Sequence, residues 1–158
     1  MRIHILGICG TLMGSIALLA KQAGHDVSGS DENVYPPMSE QLEQAGIQLN
    51  SPYTGNSIPQ NIELVVIGNA GLNRGNAALE AVLSKKIPYC SGAEWIGRYI
   101  LQNRWVIAVT GTHGKTTTSS MVASILQEEG MDPGYLIGGI PSNLKKSANL
   151  GSSSYFVI

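Results

Sequence analysis

The chain has 158 residues, enough for one domain or two small ones, and 43% of them are hydrophobic, enough for a packed core. Ten basic side chains face eleven acidic ones, a formal charge of -1. That balance excludes the broad basic field of a nucleic-acid binder and the cationic face of a membrane-surface protein. Cys9 and Cys90 form no C-x-x-C pair and no Cys/His cluster, so the cysteines suggest neither a disulfide framework nor a metal site. The apolar N-terminal stretch is too short for a signal peptide, and no run reaches the ~18 apolar residues of a membrane span. A soluble cytoplasmic protein is expected, with no nucleic-acid or membrane partner.

The elements alternate strand and helix. Ile3 to Leu6 reads as a buried parallel strand ending at Gly7. Met13, Ile16, Ala17, Ala20 and Ala23 recur at three- and four-residue spacing, one face of a helix stopped by Gly24. A strand from Asp26 to Ser30 leads to Asp31, and a short helix covers Ser39 to Ala45 before Gly46. Ile47 to Leu49 reads as a strand, and Ser51 to Asn61, rich in Pro, Asn, Ser and Gly, as loop. Leu64 to Ile67 is a buried strand and Asn76 to Lys85 a helix. Ser91-Gly92-Ala93-Glu94 is a capping box opening a helix that runs toward Leu101.

The polar stretch Gln102-Asn103-Arg104 marks a boundary, and the pattern restarts. Trp105 to Val109 reads as strand, Gly111 to Thr116 as loop, and Thr117 to Glu128 as a helix stopped by Gly130. Tyr135 to Ile137 and Tyr155 to Ile158 read as further strands. The fold class is therefore α/β: a Rossmann-like parallel-sheet domain, then the start of a P-loop α/β domain. The second part holds only about 54 residues, fewer than such a domain needs, so the chain is expected to be the N-terminal piece of a longer protein.

Two glycine loops carry the chemistry. Thr110-Gly111-Thr112-His113-Gly114-Lys115-Thr116-Thr117 follows a strand and opens a helix, the context a phosphate loop requires. Its glycines let backbone N–H groups turn toward phosphate oxygens, and the helix N-terminus adds partial positive charge. Lys115 is placed to reach the outer phosphates, and Thr116 to offer a hydroxyl to Mg²⁺. The spacing departs from G-x-x-x-x-G-K-[ST], because Val109 stands where the first glycine usually falls.

The other loop, Gly7-Ile8-Cys9-Gly10-Thr11-Leu12-Met13-Gly14, also joins strand to helix, but its glycines do not spell G-x-G-x-x-G. Either it seats a diphosphate on the first helix, with Asp31 or its neighbours near the rest of a nucleotide, or it is a tight turn beside a loop-facing acid. Cys9, Cys90, His4 and His25 read as structural, and Trp95 and Trp105 as core or domain-junction residues. Arg74 reads equally as an edge residue of the sheet facing a ligand and as a solvated side chain.

These residues resemble the Mur ligases of peptidoglycan metabolism. Gly111 to Thr118 looks like the family's ATP loop, and Gly29-Ser30-Asp31 matches its first-domain pattern. Gly7 to Gly14 and Asn33-Val34-Tyr35-Pro36-Pro37-Met38 look most like the branch that attaches a ready-made peptide. The resemblance implies a UDP-sugar-binding domain over residues 1–103 and the beginning of the central ATP-binding domain over 104–158, with a third, peptide-binding domain beyond. It assigns Gly7, Cys9, Gly10, Thr11, Leu12, Met13, Asp31 and Asn69 to the UDP-sugar. It assigns Gly111, Thr112, His113, Gly114, Lys115, Thr116 and Thr117 to ATP, with Lys115 catalytic and Thr116 on Mg²⁺. The remaining Mg²⁺ ligands and the whole peptide site would lie past Ile158, and without the peptide site these residues alone are not expected to turn over.

The implied reaction, in peptidoglycan recycling, joins the lactyl carboxylate of UDP-N-acetylmuramate to the murein tripeptide L-alanyl-γ-D-glutamyl-meso-diaminopimelate through an acyl phosphate. The alternatives are the branch that adds L-alanine, a nicotinamide-dependent oxidoreductase using the first loop, and a nucleotide-binding module without turnover.

Overall fold

A computed structural model describes residues 1–69 and 72–158 and divides the chain into two compact units, Met1–Trp95 and Ile96–Ile158. The first holds strands β1 (Arg2–Leu6), β2 (Asp26–Ser30), β3 (Gln48–Asn50), β4 (Leu64–Ile67) and β5 (Tyr89–Ser91). They form one sheet in the order β3-β2-β1-β4-β5, with every pair parallel. Helices α1 (Thr11–Gln22), α2 (Met38–Gln44) and α3 (Ala77–Ser84) supply crossovers, and α4 (Gly92–Tyr99) follows β5. The order reverses between β1 and β4. In an open parallel sheet that reversal leaves a crevice at the carboxyl ends of the strands.

The burial explains the strands. Ile3, Ile5 and Leu6 of β1 and Val65 and Val66 of β4 are all inaccessible to solvent, as expected of a sheet covered on both faces. His4 shares that interior. Its Nδ1 lies 2.8 Å from the Ser28 hydroxyl and its Nε2 2.8 Å from the Ser30 hydroxyl. Burial lowers its pKa to about 4, so the ring is neutral at ordinary pH and bridges two hydroxyls of β2. The structural reading of this histidine holds.

Helix α1 buries Met13, Ile16, Ala17 and Ala20 as the spacing predicts, whereas Ala23 is exposed because it is already the C-cap. Gly24 follows at φ +83°, the left-handed residue that ends the helix. At Gly14 a side chain would run into the Met38 thioether, so the glycine lets α1 and α2 pack closely. In α3 the Asn76 Oδ1 accepts from Ala78 and Leu79 N–H at 3.0 and 3.2 Å, and Glu80 accepts from Gly75 N–H at 3.1 Å. At α4 the expected capping residue does its part: the Ser91 hydroxyl accepts from Glu94 N–H at 3.1 Å.

The second unit holds β6 (Trp105–Ile107), α5 (Lys115–Glu128), β7 (Gly134–Leu136), β8 (Ala148–Asn149) and β9 (Tyr155–Val157). Its sheet runs β6-β9-β7-β8, parallel except for the antiparallel β7–β8 pair. Ala123 of α5 packs with Tyr135, Ile137 and Val157. Arg104 stands with its guanidinium 5.6 Å from the buried Phe156 ring centroid and donates to the carbonyls of Leu150 and Ser153 at 2.8 and 3.2 Å. A residue read as linker is thus a fastener of this unit.

Three expectations are corrected. β5 and β8 escaped notice because three and two residues are too short to show a period of two. Helix α5 starts at Lys115, not Thr117, because the left-handed Gly114 (φ +77°) turns the chain directly into it. Trp105 is not core: it is 71% exposed, with its ring tilted beside Tyr155.

Candidate functional site

The first glycine loop is built by the end of β1. Gly7 at φ +80° turns the chain, its N–H and that of Ile8 donating to the Ser30 carbonyl at 2.8 and 3.3 Å. Gly10 N–H closes the turn on the Gly7 carbonyl at 3.1 Å. Gly10 is then the N-cap of α1, with no side-chain cap and no acidic residue in the first turn. The first N–H groups of a helix have no partner within it. Here no side chain takes their place, and the positive end of the helix dipole is left to a ligand.

In front of that terminus lies a cavity of about 630 Å³. Gly7, Cys9, Gly10, Thr11, Leu12 and Met13 form one wall, with Asp31 just after β2 and Asn69 two residues past β4. All eight residues expected on this ligand therefore meet in one place, at the reversal of strand order. Glu32 and Asn33, neighbours of Asp31, and Tyr35 line it too, as do Tyr53, Gly68 and Ser91, which were not anticipated. Ser91 ends β5, so recognising that short strand would have flagged it. Tyr53 lies in a segment read only as loop, where nothing local marks it. Arg74 is not in the cavity wall.

Asp31 has a definite local job. Its Oδ2 accepts from Cys9 N–H at 2.8 Å and its Oδ1 from Asn33 N–H at 3.1 Å, which ties the first glycine loop to the turn after β2. The buried Cys9 thiol is pushed up to about 11, first by burial and then by the charges of Asp31 and Glu43, so it stays protonated and is no nucleophile.

The second loop is exposed. Gly111 (φ +148°) and Gly114 (φ +77°) hold positive-φ conformations, and α5 begins with neither a side-chain cap nor an acid in its first turn. The Lys115 ammonium folds back over the loop, donating to the carbonyls of Gly111 at 2.5 Å and Thr112 at 3.3 Å. The Thr116 hydroxyl donates to the Gly138 carbonyl at 3.2 Å. His113 and Thr117 are exposed in the same loop and first turn. Among the described residues no cluster of three or more His, Cys, Asp or Glu could hold a metal ion, and no helix is long and apolar enough to cross a membrane.

A parallel α/β unit with a ligand-sized crevice, then a second α/β unit whose first helix follows a glycine loop, is the layout that the family resemblance implies. Residues 2–104 match the Mur ligase family, catalytic domain, and residues 109–154 match the Mur ligase middle domain. The chain belongs to the Mur ligase family.

It is 56% identical, over all of its length and 34% of the relative's, to UDP-N-acetylmuramate--L-alanyl-gamma-D-glutamyl-meso-2,6-diaminoheptandioate ligase of Escherichia coli. It is 36% identical, over 98% of its length and 32% of the relative's, to UDP-N-acetylmuramate--L-alanine ligase of a Psychrobacter species. The crystal structure of a murein peptide ligase from Psychrobacter arcticus superposes with a TM-score of 0.93 at 47% identity, covering 99% of this chain and 37% of that one. The chain spans about a third of the length of the curated relatives it matches.

Proposed function

We propose that this chain is the sugar-binding domain and the start of the ATP-binding domain, residues 1–103 and 104–158, of a cytoplasmic ATP-dependent ligase. The enzyme joins the lactyl carboxylate of UDP-N-acetylmuramate to the amine of L-alanyl-γ-D-glutamyl-meso-diaminopimelate. The observation that carries this reading is the convergence of Gly7, Cys9, Gly10, Thr11, Leu12, Met13, Asp31 and Asn69 on one cavity at an uncapped helix N-terminus. Greater identity to the peptide-attaching relative than to the alanine-adding one favours the tripeptide, 56% against 36%.

The diphosphate of the sugar nucleotide lies against the N–H groups at the start of α1, with Asp31 holding their loop in shape. In the second unit the Gly111 to Gly114 backbone cradles the phosphates of ATP, and Lys115 leaves its loop carbonyls for the β- and γ-phosphate oxygens. His113 and Thr117 border them. Thr116 would offer its hydroxyl to Mg²⁺ beside the phosphates, as one ligand of a site whose further protein ligands the family resemblance puts outside these residues. When bound, Mg²⁺ neutralises charge on the β- and γ-phosphates. A lactyl carboxylate oxygen attacks the γ-phosphorus and ADP leaves. The tripeptide amine then attacks the acyl carbon, its proton is lost, and phosphate leaves as the amide forms. The chain supplies position and charge rather than a covalent nucleophile.

Titration of the complete protein separates this reading from a nicotinamide-dependent enzyme. Calorimetric binding of UDP-N-acetylmuramate without binding of NADH is expected. Tight NADH binding with no uptake of the UDP-sugar would overturn it.

A further inference from the structure

The cavity is electrostatically odd for an anion site. Asp31 and Glu32 line it, and among the described residues no lysine or arginine does. A diphosphate there must lean on backbone N–H groups and neutral donors, with two carboxylates close by. Tyr53 occupies the decisive place. Its ring packs against the core cluster that contains Leu6, Ile58, Val65, Leu72, Ala78 and Val82, so the side chain is anchored. Its hydroxyl emerges over the Gly7 turn: a Cβ built on Gly7 would lie 3.3 Å from Tyr53 Oη. The side chain is half-buried, and a phenol hydroxyl in such a place ordinarily takes a hydrogen-bond partner.

We propose that Tyr53 is a specificity residue of this cavity, its hydroxyl donating to a diphosphate oxygen held at the N-terminus of α1. The proposal rests on the reading that the cavity takes a UDP-sugar. The phenol is suited to donate. Burial first, then the charges of Asp31, Glu32 and Cys9, push its pKa up to about 12, so the proton stays on. A neutral donor is also the side chain that serves an anion beside two carboxylates without being captured by them as an ion pair. Standing at the turn that leads into α1, it meets the ligand where the helix dipole does. It thereby distinguishes a nucleoside diphosphate from the bare nucleoside.

Tyr53→Phe in the complete protein keeps the ring and its core packing, so the thermal midpoint should not move. Affinities for UDP-N-acetylmuramate and for UDP should each fall about tenfold, the ordinary effect of losing one hydrogen bond to a charged group. Competition by uridine, which has no phosphate, should be unchanged. The KM for the UDP-sugar should rise with kcat and the KM for ATP unaltered. Unchanged UDP affinity in the folded variant would overturn the proposal, and so would an equal loss for uridine, which would put the hydroxyl on the nucleoside. A wild-type protein that binds neither UDP nor UDP-N-acetylmuramate would instead overturn the reading of the cavity itself.

Discussion

Lys115→Ala in the complete protein is expected to lower kcat on the order of 100-fold or more. A preorganised cation on a transferring phosphoryl group supplies about 3 kcal/mol or more of transition-state stabilisation, and each 1.36 kcal/mol is a factor of ten in rate. The fold should not suffer. Lys115 is exposed, and the bonds its amine makes are to two carbonyls of its own loop, Gly111 and Thr112. Circular dichroism should therefore match the wild type while ADP release collapses. The loss should appear in kcat as well as in kcat/KM, because the contact strengthens as charge moves onto the leaving oxygen. Near-normal turnover in a folded Lys115→Ala variant would remove this loop from the chemistry.

Gly10→Val is expected to weaken UDP-N-acetylmuramate at least tenfold and to leave ATP affinity unchanged. Gly10 sits at φ -63°, ψ 144°, an extended conformation that any residue adopts, so valine brings no left-handed strain. A Cβ there would meet the Gly7 carbonyl oxygen at 3.3 Å, tight but open to a small adjustment. The branched methyls then enter the space in front of the α1 N-terminus, and the ligand loses backbone donors it has no means of replacing. ATP is proposed to bind residues of the other unit, so its affinity should change independently. The matching change at Gly114 is a poorer test, since Gly114 lies at φ +77° and a side chain is strained there whatever the ligand does. Calorimetry with each ligand reads the result. Equal losses for both, or none for the UDP-sugar, would contradict the assignment of the two loops to two ligands.

Much of this was legible before the structure, for identifiable reasons. Ile3 to Leu6 and Leu64 to Ile67 are apolar runs bounded by turn residues, and the helix after Gly10 repeats its apolar residues on one face. Such periodic or fully buried segments announce themselves. The strand-to-helix glycine loops announced themselves too, because only a few residue types can make that turn. The rest depended on long-range contact. β5 is three residues whose partner, β4, lies more than twenty positions earlier. Asp31 was visible as an acid ending a strand, but its grip on Cys9 N–H requires two loops to meet. Tyr53, in the segment after β3, reaches the cavity only once that segment folds back to the Gly7 turn. Arg104 belongs to a polar run that looks like linker until Phe156 arrives beneath it. Each miss is a residue whose role is set by partners distant in the chain.

The central claim, ligation of the tripeptide to UDP-N-acetylmuramate, is tested most directly by product analysis. The complete protein is given UDP-N-acetylmuramate, ATP and Mg²⁺ with either L-alanyl-γ-D-glutamyl-meso-diaminopimelate or L-alanine, and ADP release is followed with the mass of the nucleotide product. ADP formed only with all substrates present, and a product equal to sugar nucleotide plus tripeptide less one water, is the result expected, with much slower reaction of L-alanine. Rapid ligation of L-alanine with none of the tripeptide, or no amide product from either, would contradict it.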